Sequence, residues 1–379
     1  MVNIARLITG LVFIFSGVVK ANDPVGFAYK LEEYFVVLNL NFLHDYSVIL
    51  SIILCALEIF LGGLLLLGYW RKWVVKGLLA LVIFFTFLTF YSAFFEVVTS
   101  CGCFGDAIPL TPWQSFIKDL VLLALILVLY KNYTKITPVK TDGYTKGILT
   151  VLLVVISFGI GIYTYNYLPV VDFLPYKKGN HIPSLMVMPE GAEPDQFQTV
   201  YEMKHIQSGE TKTVTDTEYI EDEIWMDENW EIIGEPKTTL VKKGYTIPIS
   251  DLLINDMDGQ DVTQSVINNP YQTLVVVAWN LEKTNKKALT KINEVLKQAA
   301  ENYHVRTVLL TSASERDAQA LSEELQLLTE VFYVDAVPLK SMVRSNPGVL
   351  LLQDGHVVDK WHFNTFPSYE KLEKKHLNK

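Results

Sequence analysis

The chain is poor in cysteine. Its three thiols, Cys55, Cys101 and Cys103, are too few among 379 residues for a disulfide framework. It also lacks a basic surplus, with 32 Lys and Arg against 41 Asp and Glu and a formal charge of −9. That argues against nucleic acid as a partner, because such binding needs clustered cations to displace counterions. No small-residue cleavage site follows the first apolar run before Lys20, so the amino terminus reads as a retained membrane helix and not a cleaved signal. The long apolar runs have no polar stripe. LLALVIFFTFLTFYSAFF at 78–95 shows this best, and it excludes a soluble amphipathic bundle.

What is present divides the chain in two. Residues 1–169 hold eleven of the basic and nine of the acidic side chains, so this part carries about +2 and the remainder about −11. Five stretches approach the roughly 20 apolar residues a bilayer core requires: 4–20, 47–69, 76–98, 113–130 and 147–168. Trp113, Tyr130, Tyr163, Tyr165 and Tyr167 stand where interfacial anchors belong. One connecting loop carries Arg71, Lys72 and Lys76; another carries Lys131, Lys135, Lys140 and Lys146. The loop at 99–112 has no basic residue. The positive-inside rule then predicts an inner-membrane protein with the 99–112 loop and everything beyond 169 on the periplasmic side. Two acids, Glu58 and Glu96, fall within the spans, where charges are costly and face the bundle interior. Lys20, at the outer end of the first span, is a candidate partner for Glu96. Glu58 and Glu96 suit either a proton route or quinone pocket, or a hydrogen bond that orients the bundle. Cys55, three residues before Glu58, reads as a small core residue.

Beyond 169 the pattern changes. Residues 170–248 read as a β-rich insert with hairpins turning at Gly209 and at Asp227–Asn229. Glu218, Glu221, Asp222, Glu223, Asp227 and Glu228 form an acidic cluster, which suits a solvated face better than a metal site. From 249 strands and helices alternate: strands at 273–279, 305–311 and 331–335, helices at 283–303 and 314–328, then a hairpin over 348–363 turning at Asp354–Gly355. This order implies a mixed sheet with helices on both faces.

The sharpest motif is TSCGCFGDAIPL at 99–110. Two cysteines at i and i+2 close a tight ring, with Gly102 free to take positive φ. A disulfide held off its preferred geometry is more easily reduced, which points to redox chemistry. The alternatives are a static lock between two spans and a metal site, the latter without a nearby His. Asp106 would assist proton transfer or cap the turn.

Two resemblances follow. RLITGLVFIFSGVVKANDPVGFAYKLEEYF, ALEIFLGGLLLLG and SCGCFGDAIPLTPWQSFIKDLVLL resemble the DoxX/MauE-like membrane proteins over about 1–135, with SGVVK, Glu58 and CGCFGD as the matching features. That implies a four-helix bundle associated with redox and disulfide chemistry, and it puts Cys101 and Cys103 in the catalytic role. VVVAWNLEK and RSNPGVLLLQDGHVVDKW resemble the thioredoxin-like fold, with Trp279 on its tryptophan and Pro347 in its cis-proline place. IPISDLLINDMDGQDVT resembles the first strands of membrane-attached members. Asn280 and Lys283 stand where the two cysteines should be. A thiolate is the nucleophile of disulfide exchange, so this module keeps the fold and lacks the chemistry.

The expected architecture is therefore an α-helical membrane bundle, four-helix DoxX-like over 1–135 plus a fifth transmembrane helix within 136–169. An extracytoplasmic α/β thioredoxin-like domain follows at 249–379, after the β-rich insert at 170–248. The expected function is thiol–disulfide redox at Cys101 and Cys103, with a periplasmic client or redox partner protein docked along Trp279, Asn346 and Pro347. Lys20, Glu58, Glu96 and Asp106 would serve as a proton relay or intramembrane polar site. The residues leave the electron acceptor open between a membrane quinone and a separate thioredoxin-like protein. The rival reading is a non-enzymatic assembly factor or subunit of an envelope complex, in which the cysteine pair is structural. A transporter is a weaker third reading, since no pair of broken helices is evident.

Overall fold

The computed structural model describes residues 1–378 except 96, 98–101 and 103. Cys101, Cys103 and Glu96 therefore lie outside the described residues. One compact unit comprises Met1–Asn180 with Leu253–Lys379; the second is His181–Leu252.

In the first unit, six α-helices precede residue 168 among the described residues: α1 (Val2–Asn22), α2 (Pro24–Val37), α3 (Ser47–Leu67), α4 (Arg71–Phe95), α5 (Pro112–Lys131) and α6 (Gly143–Tyr167). All but α2 are long and apolar enough to cross a membrane, and the chain is a multi-pass membrane protein. Local chemistry sets the helix ends. Thr111 caps α5 with Gln114 in a reciprocal box, and Pro112 takes the first position. Gly68 ends α3 with φ +72 and donates its N–H to Leu64 O. α1 and α3 approach through glycines. A Cβ on Gly62 would meet Gly10 O at 2.9 Å, and one on Gly17 would meet Cys55 O at the same distance. Phe13, Leu64, Leu78, Val82, Leu122 and Ile126 fill the interior. Leu11, Phe15, Phe87, Phe94, Val151 and Val155 point outward, as lipid contact requires.

The two ends of the bundle differ. At one end Arg6 donates to Leu65 O and Thr137 O, and Arg71 donates to Ile136 O, so the two Lys- and Arg-rich loops gather there. At the other end Asn22 exchanges hydrogen bonds with the backbone of Val171, where the chain leaves α6.

The His181–Leu252 unit contains β1 (Gln196–His205), β2 (Thr211–Thr215), β3 (Trp230–Ile232) and β4 (Lys237–Lys242). The hairpin at Gly209 forms as expected, joining β1 to β2. The second hairpin does not. β3 and β4 each pair with β1, and the residues before Asp227 are helical. Thr215 and Glu218 cap each other's backbone and start a short helix where the sequence reading placed strand.

The remainder of the first unit carries β5 (Thr273–Val277), β6 (Arg306–Thr311), β7 (Glu330–Tyr333), β8 (Gly348–Gln353) and β9 (His356–His362) in the order β7-β6-β5-β8-β9. β5, β6 and β7 run parallel; β8 and β9 are antiparallel. Every residue of β5 is buried, so both faces of the sheet are covered. One face packs on Leu289, Ile292 and Leu296 of the helix Lys286–Tyr303 and on Leu321 of the helix Glu315–Leu325. Asp354 and Gly355 both have positive φ, which suits the tight β8–β9 turn. The Asn346–Pro347 peptide is cis, so Pro347 has the geometry the resemblance implied. The mixed α/β sheet after a helical membrane bundle is the fold class read from the sequence.

Candidate functional site

The α/β region meets the bundle at the end where Gly102 and Asp106 lie. Asp23 caps α2 by accepting from Gly26 N at 2.8 Å, with Pro24 as the first helical residue. The same carboxylate accepts from Arg344 Nε at 2.8 Å. Arg344 comes from the segment just before the cis proline. Its Nη2 donates to Asp106 at 3.2 Å, and its Nη1 donates to Lys340 O at 2.5 Å. Arg344 is 8% exposed, and every donor face has an acceptor. One guanidinium thus joins the start of α2, the loop three residues after Cys103 and the α/β region. Burial works against the Arg344 charge, but Asp23 and Asp106 more than offset it and raise its pKa.

A ring contact continues the junction. Tyr29 of α2 meets Trp279 edge-on at 6.1 Å between centroids. The Lys340 ammonium lies 4.4 Å from the Tyr29 ring centre and 4.7 Å from that of Trp279. Burial, with the opposing field of Arg344, leaves the Tyr29 phenol raised well above its ordinary pKa. Lys283 reaches Asp45 of the short helix Asn41–Tyr46 at 2.8 Å. One position where a thioredoxin-like motif would put a cysteine is therefore tied to the bundle. The other, Asn280, accepts through its backbone oxygen from Asn346 at 2.7 Å and from Thr284. Pro347 is buried. The structure thus brings Trp279 and Asn346 together around the 279–284 turn, with Trp279 against α2.

Between these elements lies a cavity of about 450 Å³, walled by Tyr29, Lys30, Glu32, Gly102, Lys340 and Arg344 among others. Gly102, between the two cysteines, has φ +62 and faces Lys30, whose Cγ would lie 3.1 Å from an added Cβ. Asp106 is 48% exposed. Partial burial raises its carboxyl above the ordinary range; Arg344 pulls the other way, and Asp23 adds to the rise.

A second polar cluster is inside the bundle. Lys20 and Glu58 form an ion pair with both side chains 2% exposed. Lys20 also lies 5.0 Å from the Phe27 ring centre and 4.7 Å from that of Phe85. Glu96, its expected partner, is outside the described residues; Glu58 takes it. Glu58 Oε2 has no hydrogen-bond partner among the described residues. Close by, Asp119 pairs with Lys118 at 2.7 Å and accepts from Thr89 at 3.1 Å. The Lys118 ammonium sits 5.2 Å from the ring centre of Phe104, the residue after Cys103. The space these groups share is about 20 Å³, which admits one water.

Sequence reasoning missed Arg344, Tyr29, Lys340 and Asp23. Asp23-Pro24 was a readable helix start. Arg344 gave no local signal, because its partners lie more than 200 residues away. Among the described residues no cluster of three or more His, Cys, Asp or Glu is arranged to hold a metal.

Fold and site together describe a multi-pass membrane bundle with an α/β region seated on the end where Gly102 and Asp106 lie. Residues 1–131 match the family described as methylamine utilisation protein MauE. A curated relative, Protein TlpB of Flavobacterium psychrophilum, is 30% identical over 130 residues, covering 33% of this chain and 35% of that protein. The chain thus spans about a third of the length of the relative it matches.

Proposed function

We propose that this chain is an inner-membrane thiol–disulfide redox protein whose reacting pair is Cys101 and Cys103. A client thiolate attacks one sulfur of the pair, the mixed disulfide is resolved by the client's second thiol, and the pair is left as two thiols. The client loses two electrons and two protons, and the pair gains them. Run backwards, the same exchange reduces a client. The observation that carries this reading is Arg344, which binds Asp106 of the cysteine loop and Asp23 of the bundle from the segment beside Pro347. The periplasmic, thioredoxin-like module then acts as a fixed wall of the site. It supplies docking surface and lets the bundle supply the thiols. Lys20 and Glu58 serve as the intramembrane polar site beneath, with Lys118 linking it to the loop through Phe104. The MauE match supports the bundle half of this reading.

A second reading is favoured by Lys283. Where a cysteine would stand, it holds Asp45 of the bundle, as an assembly factor with a structural cysteine pair would also require.

Cys101→Ser and Cys103→Ser variants separate the two. Under the redox reading, one single variant traps a mixed disulfide at normal protein level, and the double variant loses function. Under the structural reading, the double variant accumulates poorly and whatever protein remains is active. The orientation is tested with a membrane-impermeant thiol reagent on reduced spheroplasts. Failure to label either cysteine, in cells whose carboxyl-terminal region is accessible, sinks the arrangement.

A further inference from the structure

The first unit holds two polar spaces whose sizes differ greatly. The one inside the bundle, beside Lys20 and Glu58, is about 20 Å³. It would admit one water and has no room for an aromatic ring. The one at the junction is about 450 Å³, within the range of small-molecule sites. Its walls carry both signs of charge. Lys340 faces the rings of Tyr29 and Trp279 and has no carboxylate partner among the described residues. Glu32 lines the same cavity and has no ion-pair partner among the described residues, its Oε1 accepting from Ser47 at 2.7 Å. Gly102, between the two cysteines in sequence, borders the same space.

We infer that this junction cavity binds a small zwitterionic disulfide or thiol, of the cystine or glutathione class, as the second exchange partner of the pair. Its carboxylate pairs with Lys340 and its ammonium with Glu32. This rests on the redox reading above and names what resets the pair after a client has reacted. The step balances without a further oxidant. The reduced pair attacks the small disulfide; its S–S bond breaks, the bond between Cys101 and Cys103 forms, and two small thiols leave with the two protons and two electrons.

The test uses purified full-length protein in nanodiscs, with the pair reduced beforehand. Its oxidation is followed by alkylation and mass measurement, with cystine, glutathione disulfide or oxidised dithiothreitol as oxidant. The expected result is saturation with the two zwitterionic disulfides and none with oxidised dithiothreitol. Lys340→Gln raises KM for the zwitterions about tenfold, the loss of one charge-assisted contact. Lys340→Arg restores KM. Equal, unsaturable rates with all three oxidants overturn the inference, as does oxidation by a water-soluble quinone alone. A pair that exchanges with none of the reagents overturns the redox reading itself, so the two failures are distinguishable.

Discussion

Two charged centres, built from the same kinds of side chain, hold this molecule in different ways. In the bundle, Lys20 and Glu58 are sealed from solvent, each 2% exposed. At the junction, the side chain of Arg344 is 7% exposed, but those of Asp23 and Asp106 are 16% and 48% open. The contrast teaches that enclosure decides what a charge is worth. Inside the bundle solvent cannot replace a lost partner, so losing one strands the other. At the junction water can take over part of each carboxylate's solvation, so the guanidinium matters more than any single acid. Further out, Lys283 and Asp45 are 62% and 80% exposed, and solvent screens them almost fully.

The largest effect is expected from Lys20→Met. It leaves Glu58 buried without its cation and costs about 3–5 kcal/mol, read as a sharp fall in monodisperse protein extracted from membranes. The double variant Lys20→Met, Glu58→Met should recover most of that yield. A single variant that accumulates normally would show that the pair is better solvated than its burial implies. Next is Arg344→Gln, which uncovers two carboxylates and removes their hydrogen bonds at a cost of about 2–3 kcal/mol. Hydrogen exchange should then speed up in α2 and in 336–344 while the interior of α3 stays protected. Equal acceleration everywhere would mean Arg344 supports the whole fold and not the junction.

Asp106→Asn should do little, and its sign is informative. Burial holds the folded-state pKa of Asp106 above the ordinary 3.8. The folded chain therefore binds this proton more readily than the unfolded chain. As pH falls through the folded pKa toward 3.8, Asp106 favours the fold, and the effect levels off below that. The Asn variant should melt at or slightly above the parent at pH 7 and lose this contribution to the pH dependence, whereas Asp23→Asn should melt lower. A reversed order would make Asp106 the principal partner of Arg344. Smallest of all, Lys283→Ala should leave thermal unfolding unchanged, since the pair is screened. A clear drop would show that the 279–284 turn needs this contact to stay on the bundle.

Much of the fold was legible. The five spans could be read from apolar run length, because a bilayer imposes a minimum and tolerates little polarity. The sheet was visible in TLVVVAW and in the Asp354–Gly355 turn. α2 was missed because it is too short to span, although Phe27, Leu31 and Phe35 recur every four residues and are buried together. The helix after β2 was also readable, from Thr215 and Glu218 at capping-box spacing. The junction was not legible. Its chemistry depends on which acid each cation meets, and Arg344 meets Asp23 across 321 residues of chain. Pro347 was placed by its resemblance; Trp279 was read as part of a docking edge, with no hint that Tyr29 would lie against it.

The proposed function requires that Cys101 and Cys103 form a working redox couple. The most direct measurement equilibrates full-length protein in nanodiscs with graded thiol–disulfide buffers and counts alkylated cysteines by mass. The account predicts that both thiols appear together, as one two-electron couple with a tenfold change in ratio per roughly 30 mV, inside the range of the buffers. Two thiols alkylated at every buffer ratio, or a bond that stays closed in the most reducing one, would contradict it.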